Sequence, residues 1–165
     1  MRELEKRRGQ VTIEFALLFA GVLVPSTFGL IFGAQLLWIW HSVNDMTRQG
    51  ASYAATHCWQ ASAGNVTSFM LTNLPAMPNQ SQFLNGPVQI QVSYFAEDPT
   101  TGTLTPFACD GDCTTGCVPD VVTVSVTGLQ YRAFAGLPPV IMPNFQTTLP
   151  MQSCGCDPET GVCLP

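Results

Sequence analysis

The chain has 165 residues, 10% of them charged, a formal net charge of −5 and seven cysteines. That length allows one membrane helix and one small domain with a modest core. Nucleic acid is excluded as a partner: beyond residue 9 only Arg48 and Arg132 stand against nine acids, a side-chain sum of −7, whereas phosphate neutralisation takes clustered Lys and Arg.

Residues 1–9 read as a polar leader. It carries Arg2, Lys6, Arg7 and Arg8, four of the six basic residues, and ends on Gly9. Glu14 follows five residues after that glycine, and then no charged side chain occurs from Phe15 to Trp40. As a helix that run would extend about 39 Å, more than the ~30 Å hydrocarbon core of a bilayer. A secretory signal has a shorter apolar region and a small-x-small exit; this run has neither, so it predicts a retained span in a lipid bilayer. Basic residues before the span and almost none after it place the N-terminus in the cytoplasm. Six cysteines after Trp59 independently place the remainder in an oxidising compartment.

Pro25 is expected to kink the helix, and Trp38 and Trp40 to lie in an interfacial belt. Ala16–Ala20 and Gly29–Gly33 are small-xxx-small pairs that let helix backbones approach; Gly29 and Gly33 are the candidate packing residues. Val43, Met46, Gly50, Ala51, Ala54 and Ala55 then form a stripe of mostly small side chains at helical spacing. One helix is expected over 10–60. An extracytoplasmic domain follows over 61–165, opening with a short helix capped by Asn65 and ending near Leu74.

Residues 75–87, with Pro75, Pro78, Gly86 and Pro87, read as loop. Val88–Tyr94 and Val122–Thr127 alternate as half-buried strands, and Phe145–Met151 is a third candidate. Asp98-Pro99-Thr100-Thr101-Gly102-Thr103 and Asp157-Pro158-Glu159-Thr160-Gly161-Val162 repeat a turn pattern, with Pro and Gly where tight turns use them. The second copy, as a four-residue hairpin loop, would set Cys156 opposite Cys163 within disulfide reach.

Cys109, Cys113 and Cys117, with Asp110 and Asp112, invite a metal reading. Structural zinc sites close with a second Cys pair or His, and Asp-Gly-Asp falls far short of a calcium loop. In an oxidising compartment disulfides are the expected use. Cys109, Cys113, Cys117 and Cys154 then form two bonds of open connectivity, and Cys58 is the odd thiol. No metal and no cofactor is expected. His41 and His57 form no catalytic constellation, and with no acid–base pair or nucleophile elbow the chain does not read as an enzyme. Asn65-Val66-Thr67 and Asn79-Gln80-Ser81 match the glycosylation sequon.

A basic leader ending in Gly9, with Glu14 and Phe15 at the fifth and sixth positions after it, resembles the processing site of type IV pilin-like proteins. Trp40–Ala55, reading Thr47-Arg48-Gln49-Gly50-Ala51-Ser52-Tyr53-Ala54-Ala55 at its centre, is similar to the amphipathic segment of TadE-like pseudopilins of the tight-adherence (Flp) pilus. Val122–Val126 followed by Leu137-Pro138-Pro139 resembles their late strand and proline loop. The resemblance implies an α+β, pilin-like fold with a long N-terminal transmembrane helix and a small antiparallel-sheet domain. It implies cleavage by a prepilin peptidase between Gly9 and Gln10, with Glu14 pairing to the new amine of a neighbouring subunit. The implied partners are other pilin and pseudopilin subunits and the pilus assembly platform in the inner membrane. Six late cysteines exceed what the resemblance leads one to expect, which suits a tip or surface-binding domain. The alternative from another class is an unprocessed, membrane-anchored ectodomain acting as an adhesive or binding module.

Overall fold

The computed structural model describes residues 2–109, 117–132 and 138–152, without the side chains of 2–9 and 60–64. The chain divides into two compact units, Met1–Trp38 and Ile39–Pro165.

The first unit is helical. Helix α1 (Arg2–Leu18) passes through a π-helical turn, Phe19–Leu23, into α2 (Val24–Thr56). The turn falls just before Pro25, which has no N–H to donate. The Val24 N–H bonds to the Phe19 carbonyl, and the Ser26 and Thr27 hydroxyls donate to the Val22 and Leu23 carbonyls at 2.6 and 2.8 Å. Local π geometry and hydroxyl donors thus take up the defect, as membrane helices allow. Apolar side chains point outward: Val11, Ile13, Phe15, Leu17 and Leu18 are 63–68% exposed. A helix apolar all round needs an apolar surrounding. Gln10–Thr56 is long and apolar enough to cross a membrane, by length and composition.

The second unit is α+β. Residues 39–56 of α2 bury one stripe, Ile39, Val43, Met46, Thr47, Gly50, Ala51, Ala54 and Ala55, the periodicity of one helix face. Helix α2 ends at Thr56, and Cys58 takes an extended conformation (φ −63°, ψ 125°) before α3 (Trp59–Thr72). The helix expected over 10–60, as one or nearly one, thus ends at Thr56, and Trp59 and Gln60 belong to α3. Asn65 lies inside α3 instead of capping it. Gly50 leaves room for a side chain of α3: a Cβ there would lie 2.5 Å from the Met70 sulfur.

A short helix α4 (Ser81–Asn85) occupies part of the expected loop. Strands β1 (Gln89–Glu97), β2 (Leu104–Pro106), β3 (Val121–Thr127) and β6 (Phe145–Pro150) form an antiparallel sheet of order β2-β1-β3-β6. Strands β4 (Gln130–Tyr131) and β5 (Val140–Ile141) form a separate pair. Three of these strands match the expected ones; β2, β4 and β5 are too short to have shown alternation. Register rows Ile90–Val126–Phe145, Val92–Val124–Thr147 and Tyr94–Val122–Leu149 share one face of the sheet, as the two-residue period requires. That face meets the helices. The Thr147 hydroxyl donates to the Thr47 hydroxyl oxygen at 3.1 Å, and Trp40 lies edge-on to Phe145 at 5.0 Å. Trp40 is thus a packing residue as well as an aromatic at the end of the apolar run. The opposite face shows Gln91, Ser93, Gln146 and Thr148 to solvent.

The turn at Asp98–Thr103 forms as its sequence predicts. Gly102 has φ +67°, the Asp98 carbonyl accepts the Gly102 N–H at 2.8 Å, and the Asp98 carboxylate accepts N–H groups from Thr100 and Thr101. These donors, Thr100 first, hold the Asp98 carboxyl below the ordinary carboxylate range. Its repeat at Asp157–Val162 lies outside the described residues, as does the expected Cys156–Cys163 bond. Gly128, at φ +81°, meets the β1 approach so closely that a Cβ would lie 2.4 Å from the Pro87 carbonyl oxygen.

Candidate functional site

Helix α1 carries Gly9, Gln10, Glu14 and Phe15 on consecutive turns. Gln10 and Glu14 are one turn apart, and the Gln10 amide donates to the Glu14 carboxylate at 3.3 Å on the exposed surface. The bond is long, so it orients the acid more than it neutralises it. Phe15 is 68% exposed and stacks on Phe19 at 6.2 Å. Together with Leu18, Val22 and Leu23 these rings line an open, wholly apolar groove of about 430 Å³ along the π turn. A single acid thus stands one turn from a groove that only apolar side chains or lipid would fill. Helix α1 runs through the Gly9–Gln10 bond, and glycine lowers the helical preference at that point by about 1 kcal/mol.

Gly29 and Gly33 lie further along α2. Nothing stands within 4 Å of where a Cβ would sit at either position, so both leave room for a neighbouring backbone. Phe28 and Phe32 stack at 6.3 Å in the same stretch.

In the second unit, Cys109 and Cys117 are disulfide-bonded, with Cα atoms 6.0 Å apart. Two of the three thiols that suggested a metal are therefore spent on each other. Cys58 is also disulfide-bonded, which corrects the expectation that it is the odd thiol; its partner lies outside the described residues, with Cys113, Cys154, Cys156 and Cys163. Cys58 is the residue that caps the start of α3. The sequence reading passed over Trp59. Its indole N–H donates to the Cys117 carbonyl at 2.8 Å, and its ring meets Phe107 edge-on at 5.2 Å. Trp59 therefore ties the start of α3 to the end of the cysteine loop. Its position next to Cys58 was the available signal. Tyr53 is stacked between His57 at 3.7 Å and Phe69 at 4.2 Å, so His57 serves as a packing ring.

These features define a class: an N-terminal helix with the dimensions of a single membrane span, an acid at its start, and a small disulfide-bearing α+β unit. Residues 9–52 match the family model of TadE-like protein, so over this segment the chain is similar to that family. The match opens on Gly9 and takes in Glu14, Phe15, Gly29, Gly33 and Arg48. It ends at Ser52, so β3 and the prolines Pro138 and Pro139 lie beyond it. No curated protein matches the chain, and no solved structure does.

Proposed function

We infer that this chain is a minor pilin or pseudopilin that takes part in assembling a tight-adherence (Flp) type IV pilus, a structural and non-catalytic role in adhesion or secretion. The observation that carries this reading is the TadE-like match over 9–52, a segment in which Glu14 stands five residues after Gly9 and is the one charged residue before Asp45. On this reading a prepilin peptidase removes residues 1–9. The mature helix stays in the inner membrane, its N-terminus cytoplasmic, and residues after Trp40 are periplasmic or carried into the pilus. Basic charge before the span and disulfides after it support that topology. Glu14 pairs with the Gln10 amine of a neighbouring subunit, because an acid in a low-dielectric setting calls for a cation. Gly29 and Gly33 admit a neighbouring helix, and the assembly platform engages the chain in the membrane.

Mass spectrometry of the membrane-extracted protein tests this. The expected mature chain begins at Gln10, and Gly9→Leu leaves the leader attached. A wild-type chain that keeps residues 1–9 in cells with an active prepilin peptidase overturns the reading in favour of an unprocessed, anchored binding ectodomain.

A further inference from the structure

The two edges of the four-stranded sheet differ in sequence but match in direction. Three successive pairings are antiparallel, so β2 and β6 run antiparallel to each other. Two copies placed side by side in one orientation therefore bring β6 of one and β2 of the next together in the antiparallel sense, with no rotation.

The hydrogen-bonding groups at these edges point the right way. The Met151 N–H bonds to the Asp120 carbonyl at 2.8 Å, which marks 120 and 151 as a bonded pair. Antiparallel ladders alternate, so Phe145, Thr147 and Leu149 are spent on β3, while Gln146 and Thr148 aim their N–H and C=O outward. At the other edge the Phe107 N–H bonds to Tyr94 and the Asp98 N–H to Thr103. The same alternation leaves Leu104 and Pro106 aimed away from β1. Setting Thr148 opposite Leu104 of the next copy puts Gln146 opposite Pro106. That register makes three backbone hydrogen bonds, and the fourth is lost to the proline. It also continues the helix-facing row, with Thr105 of the next copy beside Thr147.

Edges kept from pairing are very short or carry a lysine, a proline, an inward charge or a bulge; β2 has three residues and ends on Pro106, and β6 has its proline only at its last position, Pro150. Strand β6 has six residues, none charged, in unbroken register with β3. Leu104 is 47% exposed at the β2 edge. Arg48 lines a groove of about 410 Å³ along β6, with Asp45, Gln49, Ser52, Thr147 and Leu149. There the Gln49 amide donates to Asp45 at 2.7 Å. The edges are therefore complementary in direction and in the hydrogen-bonding groups they present.

We propose that β6 of one copy pairs with β2 of the next, so that the sheet continues head to tail between chains. Such a heterologous contact extends into a row instead of closing as a twofold dimer. It gives the assembly reading above a specific subunit contact outside the membrane helix, yet needs neither processing nor a pilus.

The full chain, purified in detergent and weighed by light scattering across a concentration series, tests it. Wild type is expected to form a concentration-dependent series of oligomers. Thr148→Pro removes an outward N–H from β6, and Leu104→Pro removes one from β2; each alone is expected to associate roughly tenfold more weakly or not at all. Mixed in equal amounts, the two variants are expected to form dimers that grow no further, since each supplies the edge the other lacks. Thr148→Lys and Leu104→Lys, which keep every backbone donor, repeat the experiment if far-UV circular dichroism shows that a proline variant has lost its fold. A monomeric wild type, a single variant with the wild-type distribution, or a mixture that stays monomeric overturns the proposal. Helix-driven association, and a twofold interface through either edge alone, both give the second of these outcomes.

Discussion

The two units of this chain use small side chains for opposite ends. Around Gly29 and Gly33 the space next to the backbone is open. At Gly50 it is filled by Met70. In the first unit the missing side chain leaves open space; in the second that space is taken by the chain itself. The same contrast holds for the acids. Glu14 stands on an apolar helix with one long contact from Gln10, whereas Asp98 is held by two backbone N–H groups of its own turn. Substitutions in the first unit should therefore change association and leave stability alone, and substitutions in the second should do the reverse.

The largest expected effect is on assembly. Glu14→Ala should insert normally, since removing an acid lowers the insertion cost, but pili should be lost from cells expressing it at wild-type level. Normal piliation, counted by electron microscopy, would break the distinction between the units. Next is Gly128→Ala. A side chain forced into positive φ costs about 1–2 kcal/mol, and the close Pro87 carbonyl should raise the loss to about 3 kcal/mol in denaturant titration, with membrane insertion unchanged. The Cys109→Ser, Cys117→Ser double variant follows, at about 2 kcal/mol for a loop this short. Peptide mapping without reductant should recover the Cys109–Cys117 link from wild type. The smallest effect belongs to Asp98. Its carboxyl is held low by the turn, so its contribution is complete above the unfolded-state pKa and disappears as pH falls through the lower folded value. Asp98→Asn should flatten that part of the acid limb in thermal melts recorded against pH. An identical acid limb in the variant would mean that the turn does not hold the carboxylate in solution.

Much of the fold was readable because its long elements carry unmixed periods. Val122 to Val126 alternates without interruption, and the stripe from Val43 to Ala55 keeps helical spacing; both appear where expected. The break at His57–Cys58 was not readable, because neither residue is a helix breaker and the contacts made there, the Cys58 disulfide and Trp59 against Phe107 and the Cys117 carbonyl, are tertiary. Asn65 misled for a related reason: capping chemistry is local, and α3 begins six residues earlier on a tertiary contact. Residues 81–85 fold as a short helix although the prolines around them read as loop. At the candidate site, Glu14 and Gly9 drew notice because one acid interrupts an apolar run and one glycine closes a basic leader, and both fall inside the matched segment. Trp59 was not, since an aromatic next to a cysteine has many uses. The pairing of Cys58 was misjudged because sequence order says little about which thiols meet.

The bond between Thr47 and Thr147 joins residues 100 positions apart, and that interval is also a delay. At ordinary synthesis rates of about 5–20 residues per second, the α2 stripe waits roughly 5–20 s before strand β6 exists to cover it. A stripe of leucine or phenylalanine would stay sticky throughout that wait. Gly50, Ala51, Ala54 and Ala55 present little apolar area, so the newborn helix can stand partly uncovered with little tendency to bind other chains. The composition that permits tight packing in the finished domain also protects it while it is being made.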